Sequence, residues 1–210
     1  MQKDEVCDKL RQKILKEELT PGQWLVERDI CDEYSISRTP VREILHKLAS
    51  EGLVSIEPSK GCYVRKLTIE DIIEVFQARE AIEGIAAKLS CIRFEEAFLH
   101  NIDKLKSQIK SLDIDSDASK GVEKGRELHD LIITTANNSV ITGFYNNLKN
   151  QNVLIRNLTK KSLNIEKQSQ EAHLEITQAI LDNDPEKSEQ AMRKHLRDTC
   201  KILVNKILGI

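Results

Sequence analysis

The sequence predicts a mainly α-helical chain in two parts, and three observations carry that prediction. Aromatic residues are 4% of 210, with 4 prolines and 8 glycines, a composition that favours long helices over a β-sandwich. Residues 1–66 change texture repeatedly, punctuated by turn signals at Thr20-Pro21-Gly22 and Pro58-Ser59-Lys60-Gly61. From Thr68 to Ile210 long 3.6-residue apolar periodicity runs with a single proline, Pro185. The boundary is therefore placed at Lys66–Thr68, giving parts 1–66 and 67–210.

The first helix is expected over about Lys3–Glu18, with Leu10, Ile14 and Leu15 facing inward, and the Pro21-Gly22 turn stops it. A short helix follows near Glu27–Tyr34. The third begins after the Ser35-Ile36-Ser37 turn. Ser37 or Thr39 can cap it, and Pro40 suits its first turn. Val41, Ile44, Leu45 and Leu48 form its core stripe, while Arg38, Arg42 and His46 fall on another face. That puts a locally basic face at a helix N-terminus, where backbone amides favour phosphate and arginine forks suit guanine edges. Leu53–Ile56 and Cys62–Val64 alternate like two short strands around Pro58–Gly61, a hairpin with Lys60 near its tip. Three helices and a hairpin make a winged helix-turn-helix, whose third helix enters a major groove.

Charge does not announce this partner. The chain carries 32 Lys/Arg and 34 Asp/Glu, net −2, and residues 1–65 carry 11 and 12, so any DNA-binding case rests on local placement. The 40% hydrophobic and 31% charged content is that of a globular chain. No stretch reaches the roughly 20 apolar residues of a membrane span. The Met1–Glu5 opening lacks an apolar signal core, and the five cysteines (7, 31, 62, 91 and 200) form no CxxC pair. A cytoplasmic protein with reduced thiols and no membrane partner is expected.

In the second part, helices are expected from Thr68 to about Cys91, over Phe94–Leu112 and Gly121–Ala136, and over roughly 140–159, Glu166–Leu181 and Pro185–Leu208. Asp184 as cap with Pro185 behind it is a strong start signal. The sum is an all-α bundle of six or seven helices. His129, His173 and His195 lie on three of them, each beside apolar residues at helical spacing: Ile132 and Ile133, Ile176 and Ile180, and Met192 and Ala191. Converging imidazoles would suit zinc, or nickel or manganese with added oxygen ligands. Three separately buried, hydrogen-bonded histidines satisfy the same spacing.

The quoted motifs resemble a known family. Leu10-Arg11…Leu19-Thr20-Pro21-Gly22…Leu25, then Ser37-Arg38-Thr39-Pro40-Val41-Arg42-Glu43-Ile44-Leu45 and Leu48–Val54, resemble the DNA-binding domain of the GntR family of bacterial regulators. In its FadR-like branch the resemblance places DNA contacts at Arg28, Ser37, Arg38, Thr39, Arg42 and Gly61, with Lys60 added here from the wing tip. It implies homodimers on short palindromic operators. Glu127-Leu128-His129…Asn137-Asn138, Glu171-Ala172-His173…Ile176, Asp184…His195-Leu196 and Arg79…Glu83 resemble the FCD ligand-binding domain, more weakly over 93–125.

That resemblance implies a divalent metal on His129, His173 and His195. The family's aspartate four residues before the first histidine is replaced by Gly125, with Glu123 or Glu127 as substitutes lacking that helix-face spacing. It also implies a small organic acid as effector, with Arg79, Asn138 and Arg156 as candidate contacts. Arg79 with Glu83 equally reads as an intrahelical ion pair. The expected function is a ligand-responsive transcriptional regulator, most simply a repressor and not an enzyme. Two alternatives stand beside it: a three-histidine metalloenzyme cleaving a small ester or amide, and an effector-independent regulator with structural histidines.

Overall fold

The computed structural model describes residues 2–58, 60–158 and 163–209. Ser59 of the expected wing turn and Thr159 at an expected helix end lie outside them. Three helices come first: α1 (Lys3–Leu15), α2 (Glu27–Tyr34) and α3 (Arg38–Ser50). Strand β1 (Trp24–Leu25) lies between α1 and α2, and β2 (Val54–Glu57) and β3 (Gly61–Val64) follow α3. Six longer helices complete the described chain: α4 (Ile69–Ile92), α5 (Glu96–Lys110), α6 (Ala118–Thr135), α7 (Ser139–Leu158), α8 (Leu163–Leu181) and α9 (Pro185–Leu208).

The chain divides into two compact units. One runs to Thr68 and takes in Asn147–Arg156 of α7; the other holds the rest from Ile69. In the first unit, Val6, Leu10 and Ile14 of α1 meet Val41, Ile44, Leu45 and Leu48 of α3, with Leu154 of α7 in the same core. Arg11 fastens the far end of α3: its Nε and Nη2 donate to the two Glu51 oxygens at 2.6 and 2.7 Å. Such paired, half-buried donation fixes geometry as well as charge.

The hairpin expected from Leu53 to Val64 gains a third strand. β3 pairs antiparallel with both neighbours in the order β1-β3-β2, placing Trp24 opposite Tyr63 and Ile56 opposite Cys62. A two-residue strand carries too little alternation to be read from sequence. Helix ends also shift. α1 stops at Leu15 because Glu17 adopts a left-handed φ of 61°, reversing the chain before Pro21. α6 starts at Ala118, not Gly121, because the Asp117 side chain accepts from the amides of Ser119 and Lys120. This is the N-cap that orphan helix amides require.

In the second unit, α9 packs along α4 and α8, and α6 lies against α4, α5 and α8. Ile72 and Phe76 (α4), Ile102 and Ile109 (α5), Leu128 and Ile132 (α6), Ile176 and Ile180 (α8) and Met192 and Leu196 (α9) supply its apolar interior. Asp184 caps α9 by accepting from the Lys187 amide at 3.0 Å. No helix among the described residues is long and apolar enough to cross a membrane.

Leu48 is fully buried in the first unit, so Leu48→Ala removes a large side chain that the core cannot replace. A loss of about 2–5 kcal/mol is expected. It is read as an earlier denaturant midpoint in the fluorescence of Trp24, the single tryptophan, which lies on β1 of that unit.

Candidate functional site

Two faces of the molecule carry chemistry. On the first unit, the N-terminus of α3 stands in the open. Ser37 is its N-cap residue, and Ser37, Arg38 and Thr39 are exposed. Arg42, one turn further on, is exposed, and its Nε donates to both oxygens of Glu27 at 3.0 Å. Its Nη1 and Nη2 make no hydrogen bond among the described residues, so the outer edge of the fork remains available. Glu27 was not legible as a partner, because nothing in the spacing of α2 and α3 says which carboxylate reaches Arg42.

Arg28 is exposed 3.8 Å from Asp29. On the wing, Lys60 pairs with Glu57 at 2.7 Å. Hydrogen bonds from Lys60 and the Tyr63 hydroxyl hold the Glu57 carboxyl below its ordinary range. Gly61 has φ 116°, which a side chain tolerates poorly, so glycine is what the turn requires.

The second face is internal. α6, α8 and α9 bring His129, His173 and His195 together, all buried, with one ring nitrogen of each within 4.8 Å of the others. Nε2 of His129 and Nε2 of His173 are 3.2 Å apart. Ring centroids lie 5.3 Å apart for His129 with each partner and 4.6 Å apart for His173 with His195. The three rings that the sequence placed on separate helices therefore converge.

α4 supplies the support. Nδ1 of His129 meets Glu83 Oε2 in a short contact, and Arg79 Nε donates to Glu83 Oε1 at 2.6 Å. An ionised carboxylate only accepts, so Nδ1 carries the proton and the Nε2 lone pair faces His173 when the ring is neutral. Burial alone would push the Glu83 carboxyl up; Arg79 and His129 outweigh it and hold it at about 2, against an ordinary 4.5. Arg79 also lies over the Phe76 ring, 5.1 Å from its centroid.

Tyr145 completes the surroundings. Its hydroxyl donates to Asp130 Oδ1 at 2.9 Å, and burial followed by the charge of Glu83 raises its pKa. Its position within α7 gave no sign of this role.

The donor set fits a divalent ion of the zinc class. Tetrahedral bonds of about 2.0–2.1 Å put adjacent ligand nitrogens about 3.3 Å apart, and the Nε2 pair stands at 3.2 Å. A histidine held through Nδ1 by a carboxylate is the usual support of such ligands. Among the described residues no carboxylate joins them as a fourth ligand. Glu123 is exposed, and Glu127 is exposed and paired with Lys124 at 2.6 Å, so neither substitutes for the family aspartate. Asn138 Oδ1 accepts from the Val140 and Ile141 amides at 3.1 and 3.2 Å, capping α7. Arg156 is half-buried, in the α7 segment that belongs to the first unit.

A winged helix-turn-helix joined in one chain to an all-helical unit with a buried polar cluster is the make-up of a ligand-responsive DNA-binding regulator. The family comparisons give its kind. The model "Bacterial regulatory proteins, gntR family" matches residues 2–64, and the "FCD domain" model matches 74–198. The chain belongs to the GntR family of transcriptional regulators and carries an FCD domain. It is 26% identical over 189 residues to the HTH-type transcriptional repressor RspR of Escherichia coli (strain K12), covering 90% of this chain and 83% of that one. It is 31% identical over 155 residues to the gluconate operon transcriptional repressor of Bacillus licheniformis, 69% of this chain and 59% of that one. The structure of E. coli McbR/YncC shares the fold, with a TM-score of 0.75, 17% identity and 98% of both chains covered.

The depressed Glu83 pKa sets a pH dependence. The stability this group supplies is complete above about pH 4.5 and drains away as pH falls toward 2. Glu83→Gln is expected to flatten that part of the melting-temperature profile of metal-free protein. At neutral pH it should lower stability by a few kcal/mol, because a buried guanidinium loses its carboxylate. A profile unchanged from wild type would contradict the Glu83 assignment.

Proposed function

We propose that this regulator binds a short palindromic operator as a homodimer and is released by a small organic acid sensed at the histidine cluster. Arg38 and Arg42 read base edges from the N-terminus of α3. Arg28, Ser37, Thr39, Lys60 and the Gly61 amide hold phosphates. This division follows donor type: forks suit guanine, while hydroxyls, ammonium groups and amides position the backbone. Glu27 grips Arg42 through Nε and leaves Nη1 and Nη2 for a base edge.

The observation that carries the sensing half is the buried convergence of His129, His173 and His195 on one another, with Glu83 fixing the first ring. These three residues would hold the ion, and zinc suits a nitrogen-only set better than manganese. When bound, the ion supplies open coordination positions for an oxygen ligand. Among the described residues no carboxylate joins the three histidines directly, and Glu83 is shared between Arg79 and His129. An anionic ligand meets that need, and Arg79, bonded to the Glu83 that holds His129, is the candidate cation to steady it. A relative named as the repressor of a gluconate operon fits the same chemistry. The ligand shifts DNA affinity only so far as it binds the free and DNA-bound forms differently.

The test is fluorescence anisotropy on an operator selected from random duplexes, at fixed salt, with zinc present. A panel of small carboxylic acids is expected to contain one that weakens operator binding in wild type and not in His195→Ala. If none does so, the sensing half fails. Arg42→Ala is expected to cost about 1–3 kcal/mol per half-site, a loss of at least 10-fold in specific affinity with non-specific binding little changed. Glu27→Gln is expected to give a smaller loss of the same kind, whereas equal losses on operator and random DNA would show only a lost phosphate contact.

A further inference from the structure

Among the described residues of the first unit, the large hydrophobic side chains left exposed are Trp24, Val26 and Ile56, at 53%, 49% and 40%. All three line one cleft of about 430 Å³, and Arg42, Lys60 and Gly61 line it with them. The exposed apolar surface of this unit is therefore gathered where α3, the β1 segment and the wing meet, beside three of the groups assigned to DNA. Apolar surface gathered in this way marks a contact with a partner. Trp24 is also held in place. Its ring meets Tyr63 edge-on, with centroids 5.3 Å apart and planes at 64°. A Cβ on Gly61 would stand 3.5 Å from Trp24 Cζ3, so the indole borders the wing glycine at van der Waals distance.

With α3 in the major groove and the wing on the neighbouring backbone, the strand that borders the groove runs past the cleft between them. That strand offers charged phosphates and apolar deoxyribose carbons. Lys60 and the Gly61 amide suit the first; Trp24, Val26 and Ile56 suit the second. We infer that the cleft seats one sugar–phosphate strand of the operator, with the Trp24 indole packed against deoxyribose carbons beside the phosphates held by Lys60 and Gly61. Trp24 is then a DNA contact that carries no charge. It adds affinity without releasing counterions, in a segment whose cations do not outnumber its acids. The inference rests on the placement of α3 and the wing proposed above, and its test separates the two.

Trp24 is the single tryptophan, so its emission reports the contact in the unaltered protein. Acrylamide quenching is measured with and without the selected operator duplex. Burial in the interface is expected to lower the quenching constant by about twofold or more. Affinity for the same duplex is then measured by anisotropy over a salt series for wild type, Trp24→Ala, Ile56→Thr and Lys60→Ala. Trp24→Ala is expected to bind about 10-fold more weakly, with the slope of log affinity against log salt unchanged. Ile56→Thr keeps a β-branched residue on β2, so the wing retains its pairing, and a smaller loss at the same slope is expected. Lys60→Ala is expected to flatten the slope by about 1 per half-site. A quenching constant unchanged at saturating operator overturns the inference alone, as does Trp24→Ala binding as tightly as wild type. Trp24→Ala that flattens the salt slope as Lys60→Ala does also overturns it, because the loss would come from a displaced wing. Arg42→Ala binding the duplex as tightly as wild type overturns the placement of α3, and this inference with it.

Discussion

The buried chain Arg79–Glu83–His129 is the constraint on which the sensing unit depends. A carboxylate 1% exposed is costly to ionise unless cations meet it, and here a guanidinium meets one oxygen and an imidazole the other. Once Glu83 is ionised, the proton on His129 has one place to be, and the opposite nitrogen is turned toward His173. α4 thus does more than cover α6, α8 and α9. It sets the orientation of one imidazole, whose Nε2 stands 3.2 Å from that of His173.

The DNA-binding unit shows a parallel arrangement at a surface. Arg42 is held by one edge of its guanidinium and left open at the other, so Glu27 constrains the fork without consuming it. Because the unit is close to electrically neutral, affinity must come from where charges stand rather than how many there are. The exposed cluster at the start of α3 and the wing lysine provide that placement.

Much of this architecture was legible. The Val41, Ile44, Leu45, Leu48 stripe and the Asp184-Pro185 start appear as read, because strong periodicity and capping chemistry are local. The inward direction of the three histidines was also local. Their convergence was not, since spacing along each helix says nothing of how three helices meet. Glu83 looked like one half of an intrahelical pair with Arg79, and only tertiary packing reveals that its second oxygen supports His129. Asn138 also caps α7, and Arg156 lies in the α7 segment of the first unit; neither position was legible from spacing.

On the proposed reading the three imidazoles form an ion site and are not three separately satisfied core residues. The most direct measurement is elemental analysis of protein purified without an affinity tag or added metal, beside His129→Ala. About one divalent ion per chain in wild type, absent from the variant, is the predicted result. Metal-free wild type that stays metal-free after incubation with zinc or nickel would contradict the claim.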